Sequence, residues 1–159
     1  MRPLTADEGG LAPAFESVEV MLDRAVESIK RAGFSAGRDF VLAVDVAASH
    51  FYRDSVYYLS EPPLRSAEMV DRLVAWVTGW PVMSIEDGLA EDDWEYWPVL
   101  RQALSGKALT LGDNLLCTNV VRLQKAIANK AANALLFDES SEHGVVNLTA
   151  SKVTGMNPN

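Results

Sequence analysis

The chain has 159 residues, 48% of them apolar and 23% charged, with a formal net charge of −8. That length suits one domain with a sizeable core. The acidic balance argues against nucleic acid or an anionic membrane as the main partner, since both need clustered Lys and Arg, and it suits a cation. The single cysteine, Cys117, can form neither an internal disulfide nor a metal cluster. It reads as a small apolar residue near a helix start, in a reducing, cytoplasmic setting. The N-terminus MRPLTADEGG has no apolar signal region, and no run reaches the ~20 apolar residues of a membrane span.

In chain order, Val18, Met21, Leu22, Ala25, Val26 and Ile29 recur at helical spacing, with Gly33 where a helix-ending glycine belongs. Residues 40–48, FVLAVDVAA, form an apolar run that predicts a buried strand. Ser66 can cap a second helix carrying Val70, Leu73, Val74 and Val77, and Val82–Ile85 is a second strand. A third helix is predicted from Asp92-Asp93, burying Trp97, Leu100 and Leu104. The aromatics Trp94, Tyr96 and Trp97 read as packing between helix and sheet. Ala108–Leu111 is a third strand, Thr118 or Asn119 can cap a fourth helix with Leu123, Ile127 and Ala131, and Ala134–Phe137 is a fourth strand.

The last three strands begin at 82, 108 and 134, two steps of 26 residues. Such alternation predicts an α/β fold with a parallel sheet. No Gly-rich fingerprint follows any strand, so a (β/α)8 TIM-type barrel is favoured over a dinucleotide fold.

Each strand runs into an acid: Asp45, Glu86, Asp113 and Asp138. From Glu86 to Glu95 six of ten residues are acids. In parallel barrels the C-terminal strand ends share one face, where the chemistry is placed. Four carboxylates gathered there would repel one another, and a hard divalent cation such as Mg²⁺ resolves the repulsion.

Four ordered stretches carry a resemblance. Asp7-Glu8-Gly9-Gly10 with Leu11-Ala12-Pro13, Leu42-Ala43-Val44-Asp45-Val46-Ala47-Ala48-Ser49, Ser84 to Trp94 (SIEDGLAEDDW), and Gly112-Asp113 with Leu115, Thr118 and Asn119 resemble the DEGG-x-AP, LALDVAAS, SIEDGLAEDDW and GDDLxVTN motifs of enolases. The match runs from about residue 6 to about residue 137.

The resemblance implies about half of an enolase barrel over residues 1–138, followed by a divergent polar tail, 139–159. It implies Mg²⁺-dependent dehydration of 2-phosphoglycerate to phosphoenolpyruvate, with Asp45, Glu86 and Asp113 as metal ligands. Glu86 and Asp113 would also border the substrate, and Glu8 would assist departure of the hydroxyl group.

Three positions depart from the family pattern. Asp138 stands where enolases keep the proton-abstracting Lys, Asn114 replaces the second Asp of GDD, and His50 replaces a Glu. His143, beyond the fourth strand, is a poor substitute base. The upstream lid and the downstream phosphate-binding segment of the family have no counterpart in this sequence. Two readings follow: an enolase, and a non-catalytic remnant or interaction module that keeps the metal carboxylates. A partial barrel would also leave open sheet edges suited to pairing with another chain, including a second copy.

Overall fold

A computed structural model describes residues 12–139 and 142–147. The chain divides into two compact units, one up to Val41 and one from Leu42 onward.

In the first unit, helix α1 spans Val18–Arg31. Ser17 caps it by accepting the Val20 N–H at 3.3 Å, and acid and base are placed with the helix dipole, Glu19 in the first turn and Lys30 and Arg31 in the last. Gly33 follows the C-cap residue Ala32 with φ +86° and donates to the Lys30 carbonyl, as expected from its position. Beyond it the Phe34 and Phe40 rings meet edge to face, with centroids 4.9 Å apart.

The second unit is a five-stranded sheet with helices between its strands. Strands β1 (Leu42–Asp45), β4 (Val82–Glu86), β5 (Leu109–Gly112) and β6 (Ala134–Glu139) are parallel neighbours in that order. Helices α2 (Ser66–Gly79), α3 (Trp97–Ala103) and α4 (Val120–Asn129) fill the connections. This is the alternation of a partial (β/α)8 barrel, with strands and helices where the 26-residue period predicts them.

Burial of the helix stripes holds the layers together. Met69, Leu73 and Trp76 of α2, Ile85 of β4, and Trp97, Leu100 and Leu104 at α3 are at most 1% exposed. At roughly 1.5–3 kcal/mol per buried large apolar side chain, this layer is the main source of stability. Gly88, just past β4, lies at the seam: a Cβ there would sit 2.7 Å from Ile85 Cγ2, 3.0 Å from Leu73 Cδ1 and 3.1 Å from Leu100 Cδ2.

Several local expectations are corrected. The first strand is shorter than residues 40–48, because Ala47 takes φ +47° and Ala48–Phe51 turn into a 3-10 helix that includes His50. A small antiparallel hairpin follows, β2 (Tyr52–Arg53) with β3 (Val56–Tyr57), joined through Asp54 and Ser55 at φ +54° and +62°. Ser66 is the first residue of α2 and caps nothing; its hydroxyl donates to Asp93 at 2.6 Å, and Glu68 instead accepts the Arg65 N–H at 2.7 Å.

The third helix starts at Trp97, not at Asp92-Asp93. The Asp93 carboxylate is occupied by Tyr57 and Ser66, and Pro98 lies in the first turn of the helix, where a missing N–H costs nothing. Asn119 does cap α4, accepting the Val121 and Arg122 N–H groups. Cys117 is not a packed apolar residue but is exposed, at φ +46°, with its thiol donating to the Asn114 carbonyl. In the polar tail, Glu142–Asn147 form strand β7, antiparallel to β6. Among the described residues, no helix is long and apolar enough to cross a membrane.

Candidate metal centre

The C-terminal end of the parallel sheet brings the acids together. Asp45 ends β1 and Glu86 ends β4, and the two are paired residues across the strands. Glu86 is paired in turn with Leu111 of β5, two residues before Asp113. Because side chains alternate along a strand, paired residues share a face, and Asp45 and Glu86 therefore project from the same side.

Backbone hydrogen bonds fix the strand ends to one another. The Val46 N–H donates to the Glu86 carbonyl (2.9 Å), Ala48 N–H to the Asp87 carbonyl (3.0 Å), and Asp87 N–H to the Leu111 carbonyl (3.0 Å). The Ala47 N–H donates to Asp45 Oδ1 at 3.0 Å, which orients that carboxylate locally.

The neighbouring acids act on Glu86 electrostatically. Partial burial, followed by the negative charges of Asp45, Asp87 and Asp113, raises the Glu86 carboxyl from 4.5 to about 7. A glutamate in this setting holds a proton near neutrality unless positive charge comes to the site.

Asp87 is the residue that sequence reasoning passed over. The sequence shows it only as one of six acids between Glu86 and Glu95, yet it is 3% exposed. Its carboxylate accepts the Asp113 N–H at 3.0 Å, the Asn114 N–H at 2.8 Å and, at a longer 3.5 Å, the Leu115 N–H. Burial still pushes its carboxyl upward, with the three amides pulling the other way. The strand period could not have found it, because Asp87 lies past the end of β4 and takes φ +40°, where side-chain alternation no longer applies.

The loop after β5 is held from its far side by Arg122, whose guanidinium donates to the Leu115 and Glu91 carbonyls. Arg122 and Lys125 also stack over the Trp94 ring, at 5.2 Å and 3.9 Å from its centroid. Trp97 is fully buried and its indole N–H donates to the Ala90 carbonyl. The packing role expected for these aromatics thus holds for Trp97. Trp94 instead supports two cations.

The four sequence-predicted strand-end acids separate as follows. Asp45, Glu86 and Asp113 share one electrostatic neighbourhood. Asp138 is placed by its backbone near the C-terminal end of β6, the strand beside β5, and His143 is its register partner on β7. Glu8 lies outside the described residues. A cavity of about 540 Å³ opens elsewhere, lined by Tyr52, Arg65, Asp93 and Tyr96 among others, and none of the strand-end acids borders it.

The donor chemistry fits Mg²⁺, since the group offers only hard carboxylate oxygens. The present side-chain positions are looser than a closed ligand cage: among the described residues, no three His, Cys, Asp or Glu side chains stand close enough together to hold a metal ion. Mg²⁺ sites commonly use one or two carboxylates and complete the shell with water and substrate oxygens, so the looser grouping remains compatible.

The comparison with protein families agrees with the strand order and with the motifs at the strand ends. The model of the enolase C-terminal TIM-barrel domain matches residues 3–152. This chain belongs to the enolase family, through the C-terminal TIM barrel domain.

Proposed function

We propose that this domain serves the Mg²⁺-dependent dehydration of 2-phosphoglycerate to phosphoenolpyruvate as the cation-holding part of an enolase centre. The observation that carries this reading is the register that sets Asp45 and Glu86 opposite each other at the ends of β1 and β4, with Asp113 two residues beyond the β5 partner of Glu86; burial and then the charges of Asp45, Asp87 and Asp113 raise the Glu86 carboxyl to about 7. Carboxylates so arranged repel one another and favour a cation. Asp45, Glu86 and Asp113 would hold Mg²⁺. Bound there, the ion would neutralise the substrate carboxylate and the charge that develops on it when a proton is lost from the adjacent carbon. The chain's own part is to place hard oxygens at adjoining strand ends and to hold them there with the backbone bonds of β1, β4 and β5. Glu8 would assist the departing hydroxyl, by resemblance to the DEGG loop.

A second reading, cation binding without turnover, is favoured by one residue. Asp138 occupies the position where the resemblance places the proton-abstracting Lys. A carboxylate there adds negative charge at the end of the sheet that carries the other acids, and it removes the base of known geometry. A thermal melt tests the shared part of both readings. Millimolar Mg²⁺ should raise the melting temperature of the intact chain, as any ligand of the folded state does, and should fail to do so in Asp113→Ala. An unchanged melt in the parent chain would sink the cation site. Phosphoenolpyruvate formation, followed by its ultraviolet absorbance with and without chelator, then separates the two. Chelator-sensitive product supports the enolase reaction, and none supports the silent site.

A further inference from the structure

Asp87 follows the last residue of β4 with φ +40°, and its carboxylate reaches across to the loop that follows β5. The three amides it accepts belong to Asp113 and the next two residues. Asp113 is therefore tied, through its own backbone, to the residue next to Glu86. Through its main chain the same residue also reaches the end of β1, accepting from Ala48, and binds β5 again, donating to Leu111. We infer that Asp87 is a positioning residue for the cation centre: its buried carboxylate fixes where Asp113 stands relative to Glu86 and Asp45. This deepens the enolase reading above and rests on it for the cation alone.

The chemistry of the contact requires a carboxylate. Both oxygens of an ionised Asp only accept, so together they can gather three N–H groups. An Asn offers one oxygen, and its NH₂ would confront a backbone donor. The loop also needs an anchor, because Cys117 and Thr118 both take the left-handed conformation, at φ +46° and +48°, which is costly for a β-branched residue. Arg122 holds the loop at the Leu115 carbonyl and ties it to the Glu91 carbonyl of the β4–α3 connection, and Asp87 holds its beginning. The loop is thus anchored over residues 113–115, and the Asp87 contacts are the ones made to Asp113 itself.

The test uses the full chain, Mn²⁺ as the probe, and two variants. Asp87→Asn keeps the size and removes the charge; Asp87→Glu keeps the charge and moves it by one methylene. Mn²⁺ affinity is read from the loss of the free-ion paramagnetic resonance signal, and amide exchange at residues 113–115 is read by NMR relative to the amides of β4 and β5. If Asp87 positions Asp113, both variants weaken Mn²⁺ binding tenfold or more and lose protection selectively at 113–115. Tyr57→Phe, at a buried hydroxyl outside this centre, should leave both readouts near the parent values. Weakened binding in Asp87→Asn with parent-like affinity and protection in Asp87→Glu would mean that only the charge matters, and would overturn the inference. Should Asp87→Glu not fold, Asp87→Asn decides by exchange: retained protection at 113–115 overturns the inference, and selective loss supports it. If the parent chain binds no Mn²⁺ that depends on Asp113, the cation reading fails, and the exchange measurement still decides whether Asp87 places Asp113.

Discussion

Asp93 and Glu86 sit seven residues apart in one acidic stretch, and the fold uses them in opposite ways. Asp93 is 8% exposed and receives two hydroxyl donors, Tyr57 at 2.7 Å and Ser66 at 2.6 Å. Tyr57 is itself fully buried, accepts the Ala90 N–H at 3.0 Å, and has its hydroxyl proton held well above the ordinary tyrosine range by burial and then by Asp93. That network closes on itself: hydrogen bonds meet the charge, and the hairpin, α2 and the β4–α3 loop are joined. Glu86 is half-buried, and the charges that act on it are those of three neighbouring acids, Asp45, Asp87 and Asp113. The surroundings distinguish a structural acid from a binding acid. Donors facing a carboxylate make a clamp, and acids facing it make a place for a cation.

Breaking the clamp should have the largest effect. Asp93→Ala leaves two buried hydroxyls without their acceptor and should destabilise the fold by roughly 2–4 kcal/mol, given the cost of losing hydrogen bonds to a buried charge. Urea denaturation measures this, and a loss below about 1 kcal/mol would mean that the network is not a structural clamp. Next in size is Gly88→Ala, at the seam between the helix layer and the acids. The added methyl would meet Ile85, Leu73 and Leu100 at 3.1 Å or less, and overpacking of this kind costs about 1–3 kcal/mol. The same denaturation curve checks it, and an unchanged midpoint would show that the three side chains can withdraw. Tyr57→Phe leaves Ser66 on Asp93 but removes one donor to it and the acceptor of the buried Ala90 N–H, so about 1–2 kcal/mol should be lost. A Tyr57→Phe chain as unstable as Asp93→Ala would show that Tyr57, not the carboxylate, is the centre of the network.

The two acid sites also differ in how far sequence could read them. Asp45, Glu86 and Asp113 announce themselves because each ends an apolar run, and parallel strands collect their ends on one side. The same reasoning places the helices, since the stripes of α1, α2 and α4 keep a clean 3.6 period. Asp93 gave a misleading signal. An acid before an amphipathic stretch reads as the start of a helix, but its partners, Tyr57 and Ser66, lie 36 and 27 residues away, and only tertiary packing brings them to it. The β2–β3 hairpin escaped for a local reason: its two left-handed turn residues are Asp54 and Ser55, with no glycine to mark them. Cys117 escaped likewise, because composition cannot reveal a left-handed residue in a loop. Glu8 and Asp138 rest on resemblance, and the sheet contributes only the backbone place of Asp138 on β6.

The smallest effect, and the one that tests the comparison most directly, is the pH response of Glu86. Its carboxyl is raised in the folded chain from 4.5 to about 7, so between those values the folded state holds a proton that the unfolded chain has released. Stability then falls as pH rises through this window, the reverse of what a carboxylate lowered by donors produces. Because Glu86 is only half-buried, solvent screens much of the interaction, and the slope should be smaller than any loss described above. Asp87 is raised as well and contributes in the same direction, so the Glu86 share has to be isolated by substitution. In chelator, the melting temperature of the parent chain should decline from pH 4.5 to about 7, and Glu86→Gln should flatten that decline and melt higher than the parent at the upper end. Saturating Mg²⁺ should oppose the decline in the parent, because the ion favours the ionised glutamate, and should have no such effect in Glu86→Gln. A decline that survives in Glu86→Gln would assign the titration to another group and leave Glu86 as an ordinary loop acid. Loss of the decline in Glu86→Gln, with Mg²⁺ opposing it in the parent, would identify Glu86 as the group where the fold stores repulsion that a cation relieves.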